Sequence, residues 1–155
     1  MLSLGGGNTL GKFTVEALDQ ITKDLSLVID ANYTGIVFDV EKAVGSSSDL
    51  IPAFNDAFRA CKDLRLSVAI TTSHSAPYAT DTPQDAIDLV KAWASNPNVD
   101  ILSPQLYSSG VEGAPEFYET SSCVDSGCTW NLYLNSIATF APSVVDETHV
   151  SSVTE

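Results

Sequence analysis

The sequence predicts an α/β fold of about five parallel strands with intervening helices. Three observations lead there. Short apolar runs of strand length alternate with longer stretches of helical periodicity. The helical stretches are long enough to return the chain to the starting end of a sheet, so successive strands run parallel. Each strand has one large apolar face, and an opposite face that is small at first and turns polar toward its C-terminal end.

The elements follow in chain order. Residues 2–4 are a short apolar strand end running into Gly5, Gly6 and Gly7. Residues 14–31 form a helix: Val15, Leu18, Ile21, Leu25 and Val28 recur at helical spacing, and the Thr14 hydroxyl can cap the first turn. Residues 35–41 are the next strand. Ser48 and Asp49 open a second helix, with Leu50, Phe54, Phe58 and Cys61 on one stripe. Residues 66–72 are a strand. Thr82 and Pro83 are a capped helix start with proline at the first helical position, followed by Ala86, Ile87, Leu89, Val90 and Trp93. Residues 99–107 are a strand, residues 110–127 a long irregular connection, residues 130–137 a helix and residues 140–145 a last strand. Trp93 falls on a helix stripe and reads as core. Trp130, Phe117 and Tyr118 stay open between cleft and core.

The faces of the strands choose the architecture. In residues 35–41, Ile36, Phe38 and Val40 oppose Gly35, Val37, Asp39 and Glu41. In residues 66–72, Leu66, Val68 and Ile70 oppose Ser67, Ala69 and Thr71. In residues 99–107, Leu102, Pro104 and Leu106 oppose Ile101, Ser103, Gln105 and Tyr107. A doubly wound sheet buries both faces in apolar layers, where carboxylates and an amide are unfavourable. The inward face of a barrel turns polar at its C-terminal mouth. The expectation is therefore a partial (β/α)8 TIM barrel. A complete one needs about 250 residues, and this chain has 155.

Composition narrows the function. A net charge of −13 and a pI near 4.2 exclude the basic surface that nucleic acid or an anionic membrane requires. Apolar residues make up 44% of the chain and charged ones 17%, enough for a core. No apolar run is long enough to span a membrane, and the first residues lack the pattern of a signal peptide. Of the three cysteines, Cys61 reads as a small buried apolar residue. Cys123 and Cys128 flank a turn-rich loop and are either a local disulfide or two thiols. They make no zinc site without further ligands.

Asp39 and Glu41 carry the chemistry. Two residues apart on a strand, they point the same way, roughly 6–7 Å apart. Neighbouring carboxyls disfavour each other's ionisation, so such a pair suits acid–base work. Two acids facing solvent at a strand end, or a metal site, are the competing uses. The metal use lacks an evident third and fourth ligand, with His74 the nearest candidate.

The segment Thr34-Gly-Ile-Val-Phe-Asp-Val-Glu41 resembles the fourth-strand signature of family 18 glycoside hydrolases, D-G-x-D-x-D-x-E. Leu2-Ser-Leu-Gly-Gly-Gly-Asn8 is similar to that family's third-strand Ser-x-Gly-Gly motif. Ser103-Pro-Gln-Leu-Tyr107 resembles the sixth-strand Gln-Phe-Tyr of the plant and fungal class III chitinases, and residues 140–145 are weakly like the seventh strand. The resemblance implies that residues 1–155 are an incomplete barrel domain covering the family's strands three to seven. It implies hydrolysis of β-1,4-linked N-acetylglucosamine polymers by a retaining, substrate-assisted mechanism without a cofactor or metal. Glu41 would be the general acid, Asp39 would orient the N-acetyl group, Tyr107 would hydrogen-bond the acetamide, and Gln105 would contact the same sugar. The partner would be chitin or a related glycan, and the place of action extracellular if the full-length protein carries a signal peptide. The triplet Asn32-Tyr33-Thr34 is a glycosylation acceptor that agrees with secretion.

Two acidic positions of the signature are Thr34 and Val37 here. In the family, an acid at the second of these shares a proton with its neighbour. Its loss from beside Asp39 implies reduced activity, or a chitinase-like barrel that binds sugars without cleaving them. An arc of five strands also leaves sheet edges exposed, which is expected of a fragment.

Overall fold

Local signals set the helices, in a computed structural model that describes residues 1–6, 11–73, 77, 79–105 and 136–140. Helix α1 (Val15–Asp30) starts where the Thr14 hydroxyl accepts from the Ala17 amide at 3.2 Å. It stops at Asn32, whose left-handed φ of 66° lets the Tyr33 amide return to the Val28 carbonyl at 3.1 Å. Helix α2 (Ser47–Asp63) ends in the same way at Arg65, with φ of 61°. Helix α3 (Pro83–Ala94) has proline in its first turn and a capping box: the Asp85 amide donates to Thr82 Oγ1, and the Thr82 amide to Asp85 Oδ2. The other oxygen of Asp85 accepts from the Ser47 amide at 2.7 Å. One carboxylate therefore serves the free amides of two helices. Those donors hold its pKa down to about 2.

Strands β1 (Leu2–Gly5), β3 (Gly35–Val40), β5 (Ser67–Ser73), β6 (Ile101–Gln105) and β7 (Thr139–Phe140) form one parallel sheet in that order. Spatial order equals chain order. A doubly wound sheet reverses its order once, which sends helices to both faces. Here α1 packs on α2 and α2 on α3, along one face. A single core joins the three helices to Ile36, Phe38, Val40, Val68, Ile70 and Leu102, all fully buried. These belong to the large apolar sets read from the strand pattern, of which Leu106 lies outside the described residues. On the other face Val37, Asp39, Thr71, Ile101 and Ser103 are half-buried, and Ser3 is exposed.

Phe54 stands at the centre of the core. Its ring meets Phe13, Phe38, Phe58 and Trp93 at centroid distances of 5.7, 6.4, 5.7 and 5.2 Å. Burying these rings offsets the hydrogen bond that Pro52 removes from the second turn of α2. At the N-terminal end of the sheet, Asp100 Oδ2 accepts from the Val68 amide at 2.8 Å and from the Lys62 ammonium. The Asp100 carbonyl accepts from Thr139 at 2.8 Å. Burial pushes the Asp100 carboxyl up, but Lys62 and the Val68 amide together outweigh it and hold the pKa below the ordinary value.

Several boundaries move by a residue. The strand expected over residues 66–72 is Ser67–Ser73, and the one expected over residues 35–41 stops at Val40, with Glu41 just beyond. A two-stranded parallel pair, β2 (Lys12–Phe13) with β4 (Lys42–Ala43), has no sequence signal, because two residues cannot display an alternation. Residues 136 and 137, expected at a helix end, are not helical. The rest of that helix, the irregular connection of residues 110–127, and most of the strand of residues 140–145 lie outside the described residues. So do His74, Cys123, Cys128, Trp130, Phe117 and Tyr118.

Phe54→Ala is expected to cost about 3–5 kcal/mol in urea denaturation, through lost burial and a residual cavity. Asp85→Asn is expected to lower the denaturation midpoint at neutral pH. The folded pKa of Asp85, about 2, lies below the ordinary value of 3.8, so its contribution is present above pH 3.8 and is lost as pH falls toward 2. Wild type and variant should therefore converge at the acid end, which midpoints measured across that range will check.

Candidate functional site

The polar groups collect at the C-terminal end of the face opposite the three helices. Asp39 is carried by the last turn of pleat in β3, paired in register with Gly5 of β1 and Thr71 of β5. Thr71 pairs in turn with Ser103 of β6. Strand alternation gives these residues one face, as the sequence pattern requires. Glu41 follows two residues after Asp39. Gln105, the last residue of β6, is only 8% exposed and reaches over β5 toward both acids. Its Nε2 donates to Asp39 Oδ1 at 2.9 Å and, more weakly, to Glu41 Oε1 at 3.4 Å.

Three of the four predicted site residues therefore meet through one side-chain amide. The fourth, Tyr107, lies outside the described residues. Gln105, expected to contact a sugar, has the two carboxylates as its partners here.

The Asp39 carboxyl is pushed up from its ordinary value. Burial is the first cause and the charge of Glu41 the second, while the Gln105 hydrogen bond opposes both. Val37 precedes Asp39 on the same face and brings no polar atom. Among the described residues no group of three or more His, Cys, Asp and Glu side chains is gathered in a way that could hold a metal ion. The arrangement can bind a group with an N–H donor at Asp39 and exchange a proton at Glu41.

Two glycines belong to the site for a reason that sequence reading missed. Gly5 has φ of 102°, and a Cβ there would lie 2.3 Å from the Asp39 carbonyl oxygen and 2.6 Å from the Phe13 ring. Gly6 has φ of 105°; its amide donates to the Asp39 carbonyl at 3.0 Å, and a Cβ would stand 3.3 Å from Asp39 Oδ2. The backbone of β1 thus closes against Asp39 on the side opposite Gln105. Three successive glycines after a strand are the available signal for such a close approach. Thr71 was likewise legible only through its parity.

A groove of about 560 Å³ runs between α1 and α2 on the outer side, lined by Asp19, Asp49, Pro52, Ala53 and Arg59 among others. It shares no residue with the carboxylate site. Comparison with family models, with curated proteins and with solved structures returns no match.

Gly5→Ala is expected to lose more than the ~1–3 kcal/mol of a strained backbone, because the added carbon strikes main chain and a packed ring. Denaturation midpoints will read this. Gly6→Ala should cost less in stability, because its nearest neighbour is a side-chain oxygen.

Proposed function

We propose that the chain is a glycoside hydrolase domain that cleaves β-1,4-linked N-acetylglucosamine polymers by a retaining, substrate-assisted mechanism. One observation carries the reading: Asp39 and Glu41 converge, with the Gln105 amide between them, at the C-terminal end of a parallel sheet, on the face opposite the three helices. Strand order without reversal and helices on one face support the finer reading of the sheet as an arc of a (β/α)8 barrel, whose mouth lies at that end. The motif resemblance at residues 2–8, 34–41 and 103–107 supplies the substrate class.

In this mechanism Asp39 accepts from the acetamide N–H of the bound sugar and holds its carbonyl oxygen under the anomeric carbon. That oxygen attacks, and the bond to the leaving sugar breaks. Glu41 gives its proton to the departing glycosidic oxygen. The cyclic intermediate carries positive charge beside the Asp39 carboxylate, which stabilises it. Water then attacks the anomeric carbon from the face that the leaving sugar vacated, gives a proton to Glu41 and breaks the bond to the acetamide oxygen, so two inversions leave the configuration retained. Tyr107 is assigned to the acetamide oxygen by the motif alone.

A second reading is favoured by Val37. Without a polar neighbour on the strand below, Asp39 lacks an internal proton partner, and the same cleft would bind N-acetylated sugars without cutting them. Asn32 and Thr34 lie exposed at the end of α1, where a glycan could be attached, which supports an extracellular location. No helix of the described residues is long and apolar enough to cross a membrane.

The test is cleavage of N-acetylglucosamine oligomers by the full chain. Glu41→Gln is expected to lower kcat by about 10²–10⁴-fold, and equal turnover by both proteins would remove Glu41 from the role of acid. Because Asp39 must be ionised and its carboxyl is pushed up, the acid limb of kcat/KM should fall above pH 3.8, the ordinary value of such a group. Oligomer binding without cleavage by the wild type would select the sugar-binding reading.

A further inference from the structure

We infer that Gln105 is a positioning residue: its amide gives one hydrogen to Asp39 and the other to Glu41, fixing both carboxylates and leaving only its carbonyl oxygen to meet a ligand. The functional consequence rests on the glycosidase reading, whereas the hydrogen-bond assignment does not.

The chemistry of a primary amide leads to this. Nε2 carries two hydrogens and Oε1 carries none. Two carboxylate oxygens lie at 2.9 and 3.4 Å from the same nitrogen. Turning the amide over would point an acceptor at two acceptors, so the orientation is dictated by the neighbours. With both hydrogens committed, Gln105 can donate to a sugar oxygen only by releasing an acid. A ligand group in front of it must therefore be a donor, a hydroxyl or an N–H.

The surroundings make the clamp effective. Gln105 is buried to 8% exposure, so water competes poorly for its hydrogens. β5 separates it from β3, with Thr71 in register with Asp39 on one side and with Ser103, two residues before Gln105, on the other. Around Asp39, β1 contributes Gly5 and Gly6, β5 contributes Thr71 and β6 contributes Ser103 and Gln105; Glu41 is the titratable group facing it among the described residues. Val37 cannot supply a proton from beneath. A neutral donor reaching across the sheet thus favours the ionised form of Asp39 where no acidic neighbour on the strand can share a proton with it.

The experiment combines titration with kinetics on the full chain. In the wild type, the two side-chain amide protons of Gln105, followed by NMR, are expected to shift as Asp39 titrates. Gln105→Met removes the donors at similar volume. It should raise the Asp39 carboxyl pKa followed by carbon-13 NMR, move the acid limb of kcat/KM upward, and lower kcat about tenfold to a hundredfold with little change in KM. Gln105→Glu keeps a donor only when protonated, so its activity should recover partly toward acid pH. A raised KM with unchanged kcat and an unmoved Asp39 titration would make Gln105 a plain sugar contact and overturn the inference. Amide protons in wild type that ignore the Asp39 titration would overturn it as well, even if the variants fail to fold. If the wild type cleaves no oligomer, the glycosidase reading falls, and the two NMR titrations alone decide the role of Gln105.

Discussion

Because β1, β3, β5 and β6 succeed one another in space as they do along the chain, the helices joining them share one face of the sheet. The rest of the molecule depends on that constraint. One face is sealed by Leu18, Phe54, Phe58, Leu89 and Trp93, all fully buried, so a charge there would be stranded. The other face keeps access to solvent, and there a carboxylate can remain half-buried at acceptable cost. Alternation along β3 then sends Phe38 to one environment and Asp39 to the other, one residue apart.

The two ends of the sheet are held by different chemistry. At the N-terminal end Asp100 ties β5, β6, β7 and α2 through the Val68 amide, the Thr139 amide and the Lys62 ammonium. At the other end the helix N-termini are stitched by Asp85, which joins α2 to α3. Neither device uses Asp39, Glu41 or Gln105. The site groups are thus relieved of structural duty, apart from the close approach of Gly5 and Gly6. An amide and two acids can then keep an arrangement chosen for chemistry on a frame secured elsewhere.

Much of this was legible in the chain. The stripe Leu50, Phe54, Phe58 and Cys61, the caps at Thr14 and Thr82, and the division of each strand into two faces were readable because each rests on a period or a residue type with a direct physical meaning. The convergence of Asp39 and Glu41 with Gln105 was readable only as a shared face and a shared strand end. The bond between them depends on how strands separated by 32 or more residues pair, and register is a property of the sheet rather than of any one segment. Asp85 as a bridge to Ser47, Asp100 as a tie to Lys62, and the β2–β4 pair were hidden for the same reason. The left-handed turns at Asn32 and Arg65 were hidden because neither is glycine, the residue whose presence would have flagged them.

Cys61 lies fully buried at the inner side of α2, without a disulfide, and burial raises its thiol pKa to about 11. At neutral pH almost none of it is thiolate, and no reagent can reach it while α2 stays seated. Alkylation at this one sulfur, resolved from the other cysteines by peptide mass, would therefore clock how often the helix layer lifts from the sheet. The chain carries its own probe of breathing on the helix that supplies Phe54 and Phe58 to the core.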